Sequence, residues 1–261
     1  MIPEIFIENW RKNVNWQKIE QVEQDLIISR ALVDLYNNPH IKEKLIFRGG
    51  TALNKLFLKP AARYSEDIDF VQKNPEPIGI TINAIRETLN HWLGEPKRKI
   101  TERSVKLIYQ YISIDNLPAK LKIEINTTGH FQVLPLKQTD FSISSEWFTG
   151  STQIATYELE ELMATKLRDL YQRRKGRDLF DMWYVFNHIP TNVDRVVDIF
   201  RRYCSNDGII IERDVFQQNM EAKRKNVDFQ NDMHVLLPRN IRWNFNEAFD
   251  FVVNQVVCKI P

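Results

Sequence analysis

Residues 47–70 read FRGGTALNKLFLKPAARYSEDIDF, and this stretch decides the fold predicted for the chain. The apolar residues at 45–47 are typical of a short buried strand, which Gly49-Gly50 ends where the backbone must turn tightly or approach a ligand closely. Residues 51–58 then carry leucine and phenylalanine at helical spacing. A strand, a glycine turn and a helix start therefore follow in order, and unpaired backbone N–H groups at such a turn favour an anion, above all a phosphate.

Residues 65–70, SEDIDF, alternate as a strand does, so that Asp67 and Asp69 project from one face. Two adjacent carboxylates repel each other unless a cation lies between them. A glycine pair alone usually marks only a turn, and an Asp-x-Asp alone usually marks a solvated strand face. Together, with Thr51 after the glycines and Ser65 before the first aspartate, they indicate a nucleotide and metal site.

Two further strands are predicted at residues 105–114 and 120–126, joined by a turn at 115–118. Residues 120–126 alternate strictly, and Glu124 belongs to the polar face. Glu124 is therefore either a third carboxylate of the site or one more solvated residue of an outer strand face. Alternation alone is consistent with both interpretations of Glu124.

A helix predicted over residues 158–172 has Lys166 inside its apolar arc. Such a lysine either extends its ammonium group to water along its aliphatic stem or binds a phosphate. A second helix, predicted to open at Asp178, carries Asp178 and Asp181 on a face separate from its apolar side chains. Asp178 also suits an ordinary helix start, where negative charge complements the helix dipole.

Length and composition limit the class of protein. The 261 residues suit one large domain or two modest ones, and 43% apolar residues suit a globular chain with a real core. The chain has 36 basic and 34 acidic residues, a formal charge of +2, which excludes a strongly basic nucleic-acid binder overall. Two cysteines indicate neither a disulfide framework nor zinc. No apolar run approaches a membrane span and no export signal is evident, so a cytoplasmic protein is predicted.

Basic residues recur among helical patterns from residue 195 to residue 242. Such residues usually solvate a helix face. If several converged beside Trp243 or Tyr203, they would form a groove for an RNA backbone with stacking platforms.

Three motifs carry a family resemblance: RGGTAL at 48–53, YSEDIDF at 64–70 and KLRDLYQRRKGRDLFDMW at 166–183. In this order they resemble the AbiEii/AbiGii toxin family of bacterial abortive-infection (phage defence) and toxin–antitoxin systems. That family is similar in its site to the nucleotidyltransferase superfamily that includes polymerase β. The resemblance implies an α/β (α+β) fold, with a nucleotidyltransferase core at residues 1–150 in which helices flank a mixed sheet. A mainly helical domain would follow at residues 151–261.

The resemblance also implies roles for individual residues. Mg²⁺, or Mn²⁺, would be held by three carboxylates: Asp67, Asp69 and Glu124. The phosphates of a nucleoside triphosphate would contact Arg48, Gly49, Gly50, Thr51, Lys55, Ser65 and Lys166. Catalysis would involve Asp67, Asp69, Glu124, Lys166, Asp178 and Asp181. The helical domain would bring Lys166, Asp178 and Asp181 to the first two aspartates, with Arg177 anchoring one of the later pair.

By this resemblance, the protein is predicted to be an enzyme that transfers a nucleotide from an NTP to RNA. The acceptor that the resemblance implies is the 3′ end of tRNA, whose modification would block translation, and a neighbouring antitoxin would restrain the toxin. An alternative is the same chemistry on a small molecule or on a protein hydroxyl. A further alternative is a non-catalytic module that senses nucleotide or binds a partner.

Overall fold

The structure, a computed structural model that describes residues 2–261, divides into two compact units. Unit 1 comprises Met1–His130 and Leu136–Tyr157, and unit 2 comprises Phe131–Pro135 and Glu158–Pro261. The predicted division at residue 150 falls inside a strand of unit 1, because residues 149–156 pair with that unit's sheet. The prediction that the chain is helical from about Gly150 onward is wrong for the same reason.

The seven strands found in residues 2–261 belong to unit 1: β1 (Leu45–Arg48), β2 (Asp67–Gln72), β3 (Lys97–Ile100), β4 (Ser104–Ile112), β5 (Pro118–Asn126), β6 (Lys137–Ser144) and β7 (Thr149–Thr156). Its α-helices are α1 (Glu4–Trp10), α2 (Ile19–Asn37), α3 (Pro39–Lys44), α4 (Gly49–Ala52) and α5 (Gly79–Leu93). A turn of 3₁₀-helix at Arg11–Asn13 follows α1, and a π-helical segment at Leu53–Phe57 continues α4. The α-helices of unit 2 are α6 (Leu159–Gln172), α7 (Gly176–His188), α8 (Val193–Asn206), α9 (Arg213–Arg224), α10 (Val227–Asn231) and α11 (Phe245–Gln255).

The strands form one mixed sheet in the order β3-β4-β5-β2-β1-β7-β6. Strand β2 pairs antiparallel with β1 and parallel with β5, while β1 pairs parallel with β7. Unit 1 contains helices as well as this sheet, whereas the described residues of unit 2 form helices and no strand. The predicted α/β class with a mixed sheet is confirmed.

Local sequence explains where several elements end. Helix α2 ends at Asn37, and Asn38 then accepts hydrogen bonds from the backbone N–H groups of His40 and Ile41, which starts α3. Helix α5 ends at Leu93, and Gly94 follows it with a φ of 74°, a conformation that glycine adopts readily. These boundaries follow from capping chemistry that the sequence displays.

The hairpin β6–β7 was absent from the sequence prediction. Its strands are rich in Ser, Thr and Gln and carry few apolar side chains, so their alternation is weak. Contacts distant in sequence hold it: a Cβ at Gly150 would lie 2.9 Å from Val33, so the missing side chain lets the hairpin approach α2. The guanidinium of Arg30 on α2 also lies over Trp147, 4.6 Å from the ring centroid.

One face of the sheet in β4 and β5 is core and the other is polar. Leu107, Tyr109, Leu121, Ile123 and Ile125 are fully buried. The alternate positions are partly or fully exposed across most of both strands. This second face, called the open face below, carries the acidic residues predicted for the site.

Among the helices in the described part of the chain, none has both the length and the apolar character needed to cross a membrane.

Candidate active site

The glycine turn lies directly against the acidic strand. Gly49 has a φ of +79°, and a Cβ at this position would lie 2.5 Å from Oδ2 of Asp69. A Cβ at Gly50 would lie 3.0 Å from the hydroxyl of Ser65 and 2.5 Å from the guanidinium of Arg63. Both glycines are therefore required by close approach, and Gly49 by its backbone conformation as well. The turn places its backbone beside the Asp69 carboxylate.

Hydrogen bonds fix this turn to the start of β2. The buried hydroxyl of Thr51 lies 2.8 Å from the Ser65 hydroxyl and also contacts the Asp67 carbonyl oxygen. Asn54 donates to the Gly50 carbonyl at 2.9 Å, while its own side-chain oxygen accepts from the backbone N–H groups of residues 62 and 63. Thr51 thus acts inside the scaffold, and Ser65 is the partly exposed member of the pair.

Asp67, Asp69 and Glu124 share the open face. In the parallel register of β2 and β5, Asp69 pairs with Glu124 and Asp67 pairs with Lys122. The Lys122 ammonium lies 2.7 Å from Asp67 and 3.7 Å from Glu124, and Lys106 of β4 lies 3.0 Å from Glu124. These five residues are called the open-face cluster below. The two lysines satisfy part of its negative charge.

The carboxyl group of Asp69 has a pKa well above its ordinary value. Removal from water, with the neighbouring Asp67 carboxylate adding to it, raises the pKa of Asp69 to about 6, although Arg48 and Lys122 oppose the shift. Arg48 acts there because it is the residue of β1 that pairs with Asp69. The site therefore holds a carboxyl that an added positive charge would keep ionised.

The donor chemistry of this cluster fits a hard divalent cation. Carboxylate oxygens are the ligands that Mg²⁺ prefers, and Asp67 and Asp69 present two of them from one strand face. Within residues 2–261, no group of three His, Cys, Asp or Glu side chains converges as a metal-binding set. The fit is thus to the aspartate pair, while Glu124 is held by Lys106 and Lys122.

Lys55, predicted to contact phosphates, is directed toward α2. Its ammonium lies 2.7 Å from the Asp25 carboxylate and 2.8 Å from the Ser29 hydroxyl, and its side chain is 14% exposed. Trp10 donates to the same Asp25 carboxylate at 3.0 Å. In this structure, Lys55 joins the segment after the glycine turn to α2.

The last motif forms a second ionic group, which lies within unit 2. The Lys166 ammonium lies 2.5 Å from Asp181 and 3.9 Å from Asp178. Arg173 donates two hydrogen bonds to Asp178, at 2.7 and 2.8 Å. These four residues are called the buried cluster below, because Lys166 and both aspartates are at most 2% exposed.

The predicted anchoring role of Arg177 is wrong, since Arg173 holds Asp178. Helix α7 begins at Gly176, so Arg177 lies in its first turn, where its backbone N–H and guanidinium both donate to Asp232. Burial raises the pKa of Asp178, and the Arg173 and Lys166 charges oppose this effect. Asp178 thus lies in the first turn of α7 and forms ion pairs there. Asp232 accepts the hydrogen bond of the Arg177 backbone N–H at the start of this helix.

Two of the C-terminal residues considered for an RNA groove, one basic and one aromatic, are committed to the core of unit 2. Lys223 is buried and donates to the carbonyls of Leu170 and Tyr171, near the end of α6. Tyr203 is buried and donates to Glu161 at 2.7 Å. Neither presents the exposed surface that a base-stacking or phosphate-binding role would need, whereas Trp243 packs on Phe180 and is partly exposed.

The structure therefore brings the predicted residues together in two sets. The glycine turn, Ser65 and the three carboxylates of the open face meet in unit 1. Lys166, Asp178 and Asp181 meet in unit 2. That the second set completes the first in one catalytic site stays a prediction.

Sequence reasoning missed four residues of the first set: Asn54, Arg63, Lys106 and Lys122. The signal for Lys122 was present, since it alternates with Glu124 on one strand face. Lys106 required the register of β4 on β5, which pairs it with Glu124. Nothing local marks Asn54 or the buried Arg63 as supports of the glycine turn.

Similar solved structures define the class of the fold. MenT4, a nucleotidyltransferase toxin from Mycobacterium tuberculosis H37Rv, is 17% identical, with a TM-score of 0.66 over 99% of this chain and 92% of that one. JHP933 from Helicobacter pylori is 18% identical, with a TM-score of 0.54 over 92% of both chains. The chain has the nucleotidyltransferase fold.

The family follows from the sequence itself. The family described as nucleotidyl transferase AbiEii toxin, type IV TA system, matches residues 30–251. The chain belongs to this family of toxin–antitoxin nucleotidyltransferases. Among curated proteins, none matches it.

Proposed function

We propose that this protein transfers a nucleoside monophosphate from an NTP to the 3′-terminal hydroxyl of an RNA, with tRNA as the acceptor. The observation that carries the proposal is the approach of the Gly49 backbone to Asp69, too close for any side chain between them. A phosphate on the turn would lie beside a carboxylate pair suited to a divalent cation. That juxtaposition is the requirement of phosphoryl transfer.

Each part of the open face has a task in this proposal. Backbone N–H groups of Gly49 and Gly50, with the Ser65 hydroxyl, bind the phosphates. Lys122 and Lys106 hold the side chains of Asp67 and Glu124 in fixed positions. Asp67 and Asp69 would hold Mg²⁺ or Mn²⁺, which supplies positive charge to the triphosphate and acidifies the attacking hydroxyl.

The reaction is an in-line displacement at the α-phosphorus. The acceptor oxygen forms a bond to that phosphorus while the bond to the oxygen bridging to the β-phosphate breaks. Pyrophosphate leaves, and the hydroxyl proton passes to a carboxylate of the open face. The chain's contribution is to position both reactants on one rigid sheet face.

Lys166, Asp178 and Asp181 are proposed to complete the site. Their support is the sequence motif at 166–183, in which the lysine is matched to a phosphate ligand and the aspartates to catalytic support. Because Lys166 is buried between the two aspartates in this structure, phosphate binding would require its ammonium to leave Asp181. The proposal thus includes a rearrangement of the buried cluster on substrate binding.

The biological setting follows from membership of the family. Blocking the 3′ end of tRNA would prevent aminoacylation and stop translation, which accounts for toxicity. A cognate antitoxin would restrain this activity, and the reaction would take place in the cytoplasm, where NTPs and tRNA are found. The type IV TA description of the family supports the antitoxin.

The proposal is tested by label transfer. Purified protein is incubated with each α-labelled NTP, Mg²⁺ or Mn²⁺, and unfractionated tRNA. We expect labelled tRNA with at least one nucleotide, and no label on tRNA whose terminal hydroxyls have been oxidised with periodate. Asp69→Asn should reduce transfer by at least about 10²-fold while far-UV circular dichroism stays unchanged.

Other outcomes discriminate among the alternatives. Absence of transfer with all four nucleotides and both metals would refute the proposal. Label on the protein, or on a small molecule in a cell extract, would replace the RNA acceptor. Equal growth of hosts expressing the wild type and Asp67→Ala would show that nucleotidyl transfer is not the source of toxicity.

A further inference from the structure

The charged residues of the open face extend beyond the carboxylates toward the edge of the sheet. Register aligns them in rows across the strands: Lys99 of β3 pairs with Lys106 of β4, which pairs with Glu124 and then Asp69. The next row joins Lys97, Ile108, Lys122 and Asp67. Residues paired in this way project from the same face of a sheet. A line of ammonium groups therefore leads from the acidic pair to the outermost strand.

The charge on this face is unequal. Between β3 and β2, it carries three carboxylates and five lysines, namely Lys97, Lys99, Lys106, Lys120 and Lys122. Lys106 and Lys122 are engaged with the carboxylates. Within residues 2–261, the ammonium groups of Lys97, Lys99 and Lys120 form no ion pair, and all three residues are exposed. Of these three, Lys97 and Lys99 lie on the edge strand β3, farthest from the carboxylates, and Lys120 lies on β5 beside Lys122.

The dimensions suit an extended polyanion. Three strand spacings of about 4.8 Å separate Asp69 from Lys99, so the row is roughly 14 Å long. A small acceptor bound at the carboxylates would not reach β3. The phosphates of a polynucleotide whose end lies at Asp67 and Asp69 would meet the lysines in succession.

We propose that the lysine row on β3, β4 and β5 is the binding surface for the backbone of the acceptor RNA. The inference rests on the proposed RNA acceptor, and it adds where that acceptor lies and how its end is directed to the carboxylates. Lys97 and Lys99 bind phosphates upstream of the reacting end. Beyond the row lie the aspartates and the glycine turn proposed to hold the NTP, so the RNA terminates there.

The test is direct RNA binding without NTP. A fluorescein-labelled RNA hairpin with a single-stranded 3′ end is titrated with protein in EDTA at several KCl concentrations, and fluorescence anisotropy gives the affinity. The variant Lys97→Glu/Lys99→Glu should bind about tenfold or more weakly at low salt. The slope of its plot of log affinity against log salt concentration should be smaller in magnitude by about one to two, since each phosphate contact to a single strand contributes roughly 0.7 to that slope.

The matched control is Lys42→Glu/Lys73→Glu. It makes the same charge change on exposed lysines of unit 1, of which Lys73 lies past the opposite end of β2 from Asp67. The control should lose less than about twofold in affinity, because its lysines lie outside the row. Lys97→Arg/Lys99→Arg should bind as the wild type does.

Three results would overturn the inference. The first is that both charge-reversal variants lose RNA affinity equally, and the second is that Lys97→Glu/Lys99→Glu binds RNA as the wild type does. The third is that polyglutamate displaces the hairpin as effectively as unlabelled RNA does. Failure of label transfer is a separate result, because binding is measured without nucleotide. A protein that loses RNA binding only in the β3 variant supports the surface even if transfer fails.

Discussion

The open-face cluster and the buried cluster contain the same kinds of group in opposite environments. Asp67, Glu124, Lys106 and Lys122 are each between a quarter and a third exposed. Lys166 and Asp178 are almost completely removed from water. An ion pair that water reaches can exchange a lysine for another cation at little cost, whereas a buried pair that loses one partner leaves an uncompensated charge.

The surroundings of the two clusters also differ in how easily a ligand can approach. The open-face cluster lies beside a glycine turn with no side chains of its own, so a ligand can approach it. The buried cluster is closed by a bidentate Arg173–Asp178 pair. The first is therefore suited to binding a ligand, and the second to fixing α6 against α7.

The largest expected effect comes from removing one lysine from each cluster in turn. Lys166→Met should lower the free energy of unfolding by about 3–5 kcal/mol, because Asp181 loses its ammonium partner in the core. Lys122→Met should change it by about 0–1 kcal/mol, since water can solvate Asp67. Denaturant titration in EDTA measures both.

A double variant separates the loss of the ion pair from a simple loss of side-chain packing. Adding Asp181→Leu to Lys166→Met also removes the carboxylate that lost its lysine and should recover part of the loss. Equal destabilisation by Lys166→Met and Lys122→Met would contradict the distinction between the two clusters.

The next effect tests how closely the glycine turn fits the open-face cluster. Gly49→Ala places a methyl group against Asp69 at a positive φ, whereas Gly94→Ala adopts a similar φ in open space. Gly94→Ala should lose about 1–2 kcal/mol from backbone strain alone. Gly49→Ala should lose about 1 kcal/mol more from overpacking. It should also reduce nucleotide transfer on the order of 10²-fold, because Asp69 is displaced.

Denaturant titration and the label-transfer assay read out the two glycine variants together. Gly94→Ala should keep its transfer activity when assayed well below its unfolding midpoint. Wild-type transfer by Gly49→Ala would show that the contact with Asp69 has no catalytic importance.

The sequence predicted those parts of the molecule whose signals are local. The strand, glycine turn and helix at 45–58, the acidic strand and the helix carrying Lys166 all occur as predicted, since periodicity and glycine chemistry act over a few residues. The hairpin β6–β7 was missed because its stability comes from Val33 and Arg30 on α2, more than a hundred residues earlier.

Side-chain partners needed information that no single segment carries. Glu124 was correctly placed on the polar face, but its contacts with Lys106 and Lys122 depend on strand register. The sequence predicted Arg177 as the anchor of a later aspartate, whereas Arg173 holds Asp178 in the structure. Helix α7 begins at Gly176, so Arg177 lies in its first turn and contacts Asp232. Tertiary packing requires that glycine, because a side chain there would meet the Phe229 carbonyl.

The smallest expected effect concerns the Arg177–Asp232 ion pair of unit 2, which lies outside the buried cluster. Burial alone would raise the pKa of Asp232, but hydrogen bonds from the Arg177 side chain and backbone outweigh it and lower the pKa. A carboxyl with a depressed folded-state pKa stabilises the protein above its unfolded pKa of about 3.9, and this stabilisation is lost as pH falls through the folded value. Asp232→Asn should therefore reduce stability at pH 7 by roughly 1 kcal/mol, and the difference from the wild type should vanish near the acid limit of folding. Asp178, whose pKa is raised, should contribute a dependence of opposite sign, with stability decreasing as pH rises above the unfolded value. A wild-type advantage over Asp232→Asn that grows on acidification would show that Arg177 does not hold Asp232 in the ionised form.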